Sequence, residues 1–446
     1  MKKYLSIYIL LALASIGLQS CLFSEEDVFD ESSANRATAD VAKCQEILKE
    51  APNGWKLEYY IGDNYSSGAI TYLMKFDGTQ VQIACEGGTD DYVPGDKKTS
   101  LYQVKTEQST MLTFDTYNPL LHSFSAPLGM NINLEGDYEF IILEASPEKI
   151  VLQGKRYKNI MEMTPMPEDE PWSTYLKNVI HVENDAFLNT YNLQKEGETL
   201  KVFKKASGTL SIFDVYDDAE AGEASESLAY VYTDKGLKLR TPYVINNISV
   251  QHFTWSTLTR KFTCTDEGAT DITLNEFYPE GYFQYSDFIG DYILGFNSYM
   301  TGSGYTETSI TPLVEGESYT LSLPLTYFRI NIDVTLKYDK GNGQIVLDSQ
   351  DLGLNSMFQY YFAVAAGVEG YAHPELSIVP QLRNGLISQV ESTEPFGFYF
   401  VDKISQTNSA LLVWAYSSNN YSDSTMAGYV EYFRYLMLKK KTEEEE

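Results

Sequence analysis

Histidine is nearly absent from this chain. His122, His181, His252 and His373 are the only four in 446 residues, and no two stand within five residues of each other. That spacing excludes a helical HExxH zinc site and any short HxH site, leaving only sites assembled from distant residues. No GxSxG occurs, and Gly302-Ser303-Gly304 sits in a Gly/Ser/Thr loop without a strand-to-helix signal, so a nucleophile elbow is excluded as well. The run Asp339 to Gly343 lacks the alternating oxygen ligands and distal Glu of an EF-hand and reads as a hairpin turn. Basic residues are also few, 33 Lys and Arg against 62 acids for a net charge of −29. A surface of that sign repels phosphate backbones, which excludes nucleic acid as a partner. Nor is there an apolar run of the ~20 residues that a membrane-crossing helix needs.

Cysteine is scarce too: Cys21, Cys44, Cys85 and Cys264. The last three stand at apolar spacings, Cys44 with Val41 and Leu48, Cys85 with Val81 and Ile83, and Cys264 with Phe262, which predicts buried small hydrophobes rather than a bridge. Cys21 is different. Lys2 and Lys3 precede an uncharged apolar run from Tyr4 to Leu18, and Ser20 puts a small residue before the cysteine, the pattern of a bacterial secretory signal. Leu18-Gln19-Ser20-Cys21 resembles the lipobox of bacterial lipoproteins, which implies lipidation of the Cys21 thiol and cleavage before it. Two or three acyl chains anchor a domain stably, since each buried methylene contributes ~0.8 kcal/mol. The expected partner is therefore a membrane, held through an N-terminal lipid. The acids that follow, Glu25, Glu26 and Asp27, resemble the acidic export signal that places such lipoproteins on the outer face of the outer membrane, at the cell surface.

Chain length calls for two or three domains. A helix capped by Thr38 is expected to carry Val41, Cys44, Leu48 and Ala51 on one face and to stop at Pro52-Asn53-Gly54. Beyond Gly54 the period becomes two: Trp55, Leu57 and Tyr59 alternate with Lys56 and Glu58, and Ile330, Ile332, Val334, Leu336 and Tyr338 alternate with polar residues before a turn and a return strand from Ile345. A second helical pattern covers about 172–190. The fold class is mainly β, antiparallel meanders forming barrel- or sandwich-like domains with one short N-terminal helix. The divisions read as a signal peptide over 1–20, an acidic tether over 21–35, a helix-plus-meander domain over 36–165, a second β-rich unit over 166–279, a C-terminal β-rich domain over 280–441 and an acidic tail over 442–446. The first inner boundary is MTPMPEDEPW, whose prolines Pro165, Pro167 and Pro171 are expected to keep it out of any central strand.

GWKLEYYIGDN (54–64), ITYLMKFDGTQVQIACE (70–86), LTFDTYNPLLHSFS (112–125) and GDYEFIILEASPEKIVLQGK (136–155), following the lipobox and helix, resemble a family of Bacteroidetes lipoproteins known as a domain of unknown function. The resemblance implies an accessory lipoprotein of the kind encoded near SusC/SusD-type nutrient-uptake systems. It carries over no catalytic residue, metal or cofactor, and none is expected.

Aromatics are abundant, 35 Tyr, 22 Phe and 4 Trp. Tyrosine suits strands, and it also stacks on sugar faces with its hydroxyl free to bond, so a glycan-binding surface is one expectation. Its candidate residues are Tyr299 and Tyr305 in SYMTGSGYTET and Tyr416 and Tyr421 in AYSSNNYSD, all read as loop residues. The expected function is non-catalytic nutrient capture. Two alternatives stand beside it: a hydrolase whose site is built from scattered carboxylates, and an adhesive lipoprotein with a protein partner.

Overall fold

The computed structural model describes residues 33–87, 92–125, 134–206, 209–367, 385–403, 410–422 and 424–442. Cys21, Glu25, Glu26 and Asp27 lie outside those residues, as does His373.

Three antiparallel β bodies follow one another along the chain. In the first, nine strands among the described residues run in the spatial order Lys98–Leu101, Gln80–Cys85, Gly68–Phe76, Trp55–Ile61, Ile160–Pro165, Ile150–Gly154, Glu139–Ala145, Thr110–Thr113 and Gln103–Thr106. The two outermost strands are separated in sequence by Tyr102 alone, so the sheet curls until its edges meet. Tyr102 closes the seam with its ring edge-on to Phe76, centroids 4.8 Å apart. The alternation of WKLEY puts Trp55, Leu57 and Tyr59 inside, each at most 1% exposed, and turns Lys56 and Glu58 outward.

Helix Ser33–Glu50 packs Cys44, Ile47 and Leu48 onto this core, and Trp55 Nε1 donates to the Leu48 carbonyl across 2.9 Å. The helix begins before Thr38, which lies inside it rather than capping it. SANRATAD contains no glycine or proline and three alanines, so nothing stops the helix from extending backwards, although that stretch leaves no apolar periodicity to read. The expectation that the prolines keep MTPMPEDEPW out of any central strand is also corrected. Met163-Thr164-Pro165 ends a central strand, paired with Trp55–Leu57 on one side. On the other side the Ile150–Gly154 strand reaches only to Met163, so Pro165, which has no N–H, stands where no neighbour asks for one.

Helix Trp172–Asp185 follows, with Trp172, Tyr175, Leu176, Val179 and Val182 buried. They share a core with the second body and with Leu73 and Ala84, which point outward from the first sheet. That second body is a closed up-and-down barrel from Thr190–Lys195 to Ile272–Glu276, completed by pairing of those first and last strands from Tyr191↔Glu276 to Lys195↔Ile272. The third body, from Gly290–Ser298 to Met426–Lys440, contains eleven strands among the described residues. Its last strand pairs with the first over Tyr292↔Lys440 to Ser298↔Phe433, closing a ring, while its other half pairs with Ala410–Tyr416. The hairpin Ile330–Asp339 with Gln344–Asp348 stands where the alternation put it. Cys44, Cys85 and Cys264 are free and buried.

Candidate functional site

Where the three bodies meet, a cavity of about 750 Å³ is left between the outer face of the first sheet, the Trp172–Asp185 helix, one end of the barrel and the Asp339–Gly341 turn of the third body. Strand alternation supplies its first acid. Cys85 faces the core, so Glu86, the next residue, faces the helix side, opposite Thr71, whose backbone N–H donates to Oε1 at 2.7 Å. The other carboxylate oxygen, Oε2, has no hydrogen-bond partner.

Glu183 comes from the helix, one turn past Val179 and next to Val182, at the border of the buried stripe. Lys205 ends the second barrel strand and donates its Nζ to the Ala186 carbonyl at 2.8 Å, 5.6 Å and 5.8 Å from the ring centres of Tyr191 and Tyr232. Tyr230 and Tyr232, two residues apart on one strand and so on one face, complete the barrel wall. The third body adds the lid: the Asn189 N–H donates to the Gly341 carbonyl at 3.2 Å, and a Cβ on Gly341 would stand 2.8 Å from the Asn189 side chain.

The charged groups here are half-buried, and each lines the cavity. Burial pushes the Glu86 carboxyl up to about 8, against the opposing bond from Thr71, with Glu183 adding to the rise. Burial likewise raises Glu183, opposed by the Lys205 charge. It pushes the Lys205 ammonium down to about 8, against the attraction of Glu183, Glu276 and Asp339. A carboxyl raised to about 8 is mostly protonated at neutral pH, so Glu86 can donate a hydrogen bond into a cavity that Glu183 and Lys205 also line. Donors, acceptors and aromatic rings around one concave space are what a polar small-molecule site requires.

The four tyrosines singled out in the sequence lie elsewhere, on the third body. Tyr299 follows its first strand and is 58% exposed, with its ring 5.9 Å from Tyr432 and 6.3 Å from Tyr429, and the Arg434 guanidinium 5.5 Å above it. Tyr305 is on a strand, opposite Gly295, and 81% exposed. Tyr416 corrects the loop reading: it is the last residue of strand Ala410–Tyr416 and fully buried. Tyr421 packs edge-on against it, centroids 5.2 Å apart, and its hydroxyl bonds to Asp351. Tyr416 and Tyr421 thus meet each other, and neither joins Tyr299. Of the histidines, His122 stacks on Tyr138 at 4.8 Å and His252 bonds to Asp266 at 2.8 Å. Glu86, Glu183 and Lys205 come from three separate elements, and the one local signal was Glu86 at a position where alternation demands the sheet's outer face.

No curated protein and no solved structure matches the chain. Residues 265–410, which include the lid turn, match a domain of unknown function, DUF4987. Residues 25–257 match another, DUF4302, a span that holds Glu86, Glu183, Lys205, Tyr230 and Tyr232. Since that match covers more than half of the 446 residues, the chain belongs to the DUF4302 family.

Proposed function

We propose that the protein is a non-catalytic capture lipoprotein, anchored at the cell surface through lipid on Cys21, that seats a glycan in the Glu86–Glu183–Lys205 cavity beside a SusC/SusD-type uptake complex of a Bacteroidetes outer membrane. The observation that supports this reading is the cavity itself, whose charged groups are drawn from three elements and left open to its interior. Sugar hydroxyls both donate and accept. A neutral Glu86, an ionised or neutral Glu183 and a Lys205 ammonium offer both roles within reach of tyrosine rings.

Isothermal titration of the mature chain with a panel of oligosaccharides tests the reading. Binding of at least one glycan, weakened tenfold or more in Glu183→Ala and Lys205→Ala, is the expected result; no binding across the panel, or binding unchanged in both variants, would sink it.

A second reading has one observation in its favour. A carboxyl raised to about 8 beside a second carboxyl is an acid–base pair suited to glycoside hydrolysis. The variant Glu86→Gln separates the two: it keeps the shape and donor for binding, but it would abolish turnover if turnover is detected in the wild type.

A further inference from the structure

A second cavity, of about 520 Å³, lies between the Asp63–Tyr65 turn and the barrel wall. Ala206, Thr209 and Ile212 line it, while Lys205, Leu210 and Ser211 line the first cavity, so one connecting segment borders both. Arg240 stands in the wall of the second. Its guanidinium lies 3.2 Å from the ring centre of Tyr65 and 5.7 Å from that of Tyr60. Among the described residues its guanidinium makes no ion pair or hydrogen bond, and its Nε is enclosed without an acceptor.

That is unexpected in a chain with 62 acids for 33 bases. Lys238, two residues earlier, is held by Glu58 at 2.9 Å, and Arg260 is held by Glu276 and Asp185. Asp63 and Asp214 line the same cavity, yet neither pairs with Arg240; Asp214 instead accepts from the Ser227 hydroxyl at 2.6 Å. The Tyr65 ring is set under the guanidinium by left-handed backbone, φ 50° at Asn64 and 67° at Tyr65, a conformation that a bulky side chain rarely adopts. Its hydroxyl is fixed from the far side by the Ile160 N–H at 3.3 Å. The ring contact leaves the Nη groups of the guanidinium, rather than the enclosed Nε, for a planar acceptor.

We propose that this cavity binds an oxyanion carried on a hydroxylated small molecule, a uronate or a sulfated sugar, with Arg240 as the group that takes the charge. Asn64, Ser66 and Thr241 offer polar partners to the carrier's hydroxyls. The two nearby aspartates repel a polyanion and restrict the site to a single small charge. That the carrier is a sugar rests on the capture reading above; that the site takes an anion does not.

Isothermal titration of the full chain in detergent at low salt, with acetate, sulfate, glucuronate, glucose 6-sulfate and glucose as probes, tests both parts. Glucuronate or glucose 6-sulfate should bind at least tenfold tighter than glucose, and the stronger of the two identifies the anion. Arg240→Gln should remove the difference, and Arg240→Lys, which keeps the charge without the fork, should lose about tenfold. Charged and neutral sugars binding alike, or an Arg240→Gln protein that binds the charged sugar as the wild type does, would overturn the site. Acetate and sulfate held through Arg240 with no gain from the sugar ring would overturn the sugar carrier. Should Arg240→Gln fail to fold, Arg240→Lys with an unchanged circular dichroism spectrum carries the comparison. Loss of glycan binding in Glu183→Ala with the Arg240 dependence intact separates this site from the first cavity.

Discussion

Gly68 and Ser211 meet backbone to backbone across the contact between the first sheet and the barrel. A Cβ on Gly68 would stand 2.4 Å from the Ser211 nitrogen, and Gly68 has φ +92°. Gly68→Ala is therefore expected to destabilise by about 2 kcal/mol or more, from left-handed strain and a backbone clash together. Gly197→Ala is the control: φ is +87° there, but nothing lies within 4 Å, so strain alone acts. Urea midpoints should place Gly68→Ala clearly below Gly197→Ala, and equal midpoints would mean that the junction yields easily.

The cavity acids give stability a pH dependence of definite sign. Glu86 is raised from 4.5 to about 8 in the folded chain, so between those values the folded state holds a proton that the unfolded state has lost. Stability contributed by that proton is complete below about 4.5 and is lost as pH rises through about 8. Lys205 acts in the opposite sense from about 8 to 10.5, where the unfolded state binds the extra proton and stability rises with pH. Glu86→Gln should flatten the decline between pH 5 and 8 in a series of urea titrations and leave the alkaline limb as it was. A decline of the same slope in the variant would assign it to other groups.

Exposure separates the tyrosines that one sequence pattern grouped together. Tyr416→Ala empties a fully buried site and should cost about 3–5 kcal/mol. Tyr305→Ala removes an 81% exposed ring and should stay within about 0.5 kcal/mol of the wild type. Denaturation midpoints of the two variants measure both.

The proposed anchoring is tested at Cys21 and the acids after it. Cys21→Ser should abolish labelling with palmitate and release the protein or leave its signal uncut. Replacing Glu25, Glu26 and Asp27 with Ala should keep the label and change the face of the membrane, so that protease added to intact cells degrades the wild type and spares the variant. Equal sensitivity would reduce these acids to a solvated tether.

How much of this could be read from sequence depended on whether the signal was local. The 330–348 hairpin was legible because its alternation lasts ten residues and a Gly/Asn turn ends it. Tyr416 was misread because Ser417-Ser418-Asn419-Asn420 follows it, and a strand's last buried residue looks like the first residue of such a loop. Proline at 165 argued against a central strand, and the sheet answered by ending one neighbour two residues short. The cavity was beyond reach because Glu86, Glu183 and Lys205 become neighbours only after a strand, a helix and a barrel have packed, and nothing in their flanking residues records that packing.

The seam at Tyr102 also fixes an order of events. Because the strands on either side of it are consecutive in sequence, the pairing farthest apart in the chain falls in the middle of the sheet, between Trp55–Glu58 and Glu162–Pro165. Closing so long a loop carries a large entropic cost before any contact offsets it. A chain delivered from its N-terminus cannot complete this sheet until residue 165 has emerged, and until then the aromatic strand at Trp55 lacks one of its two neighbours.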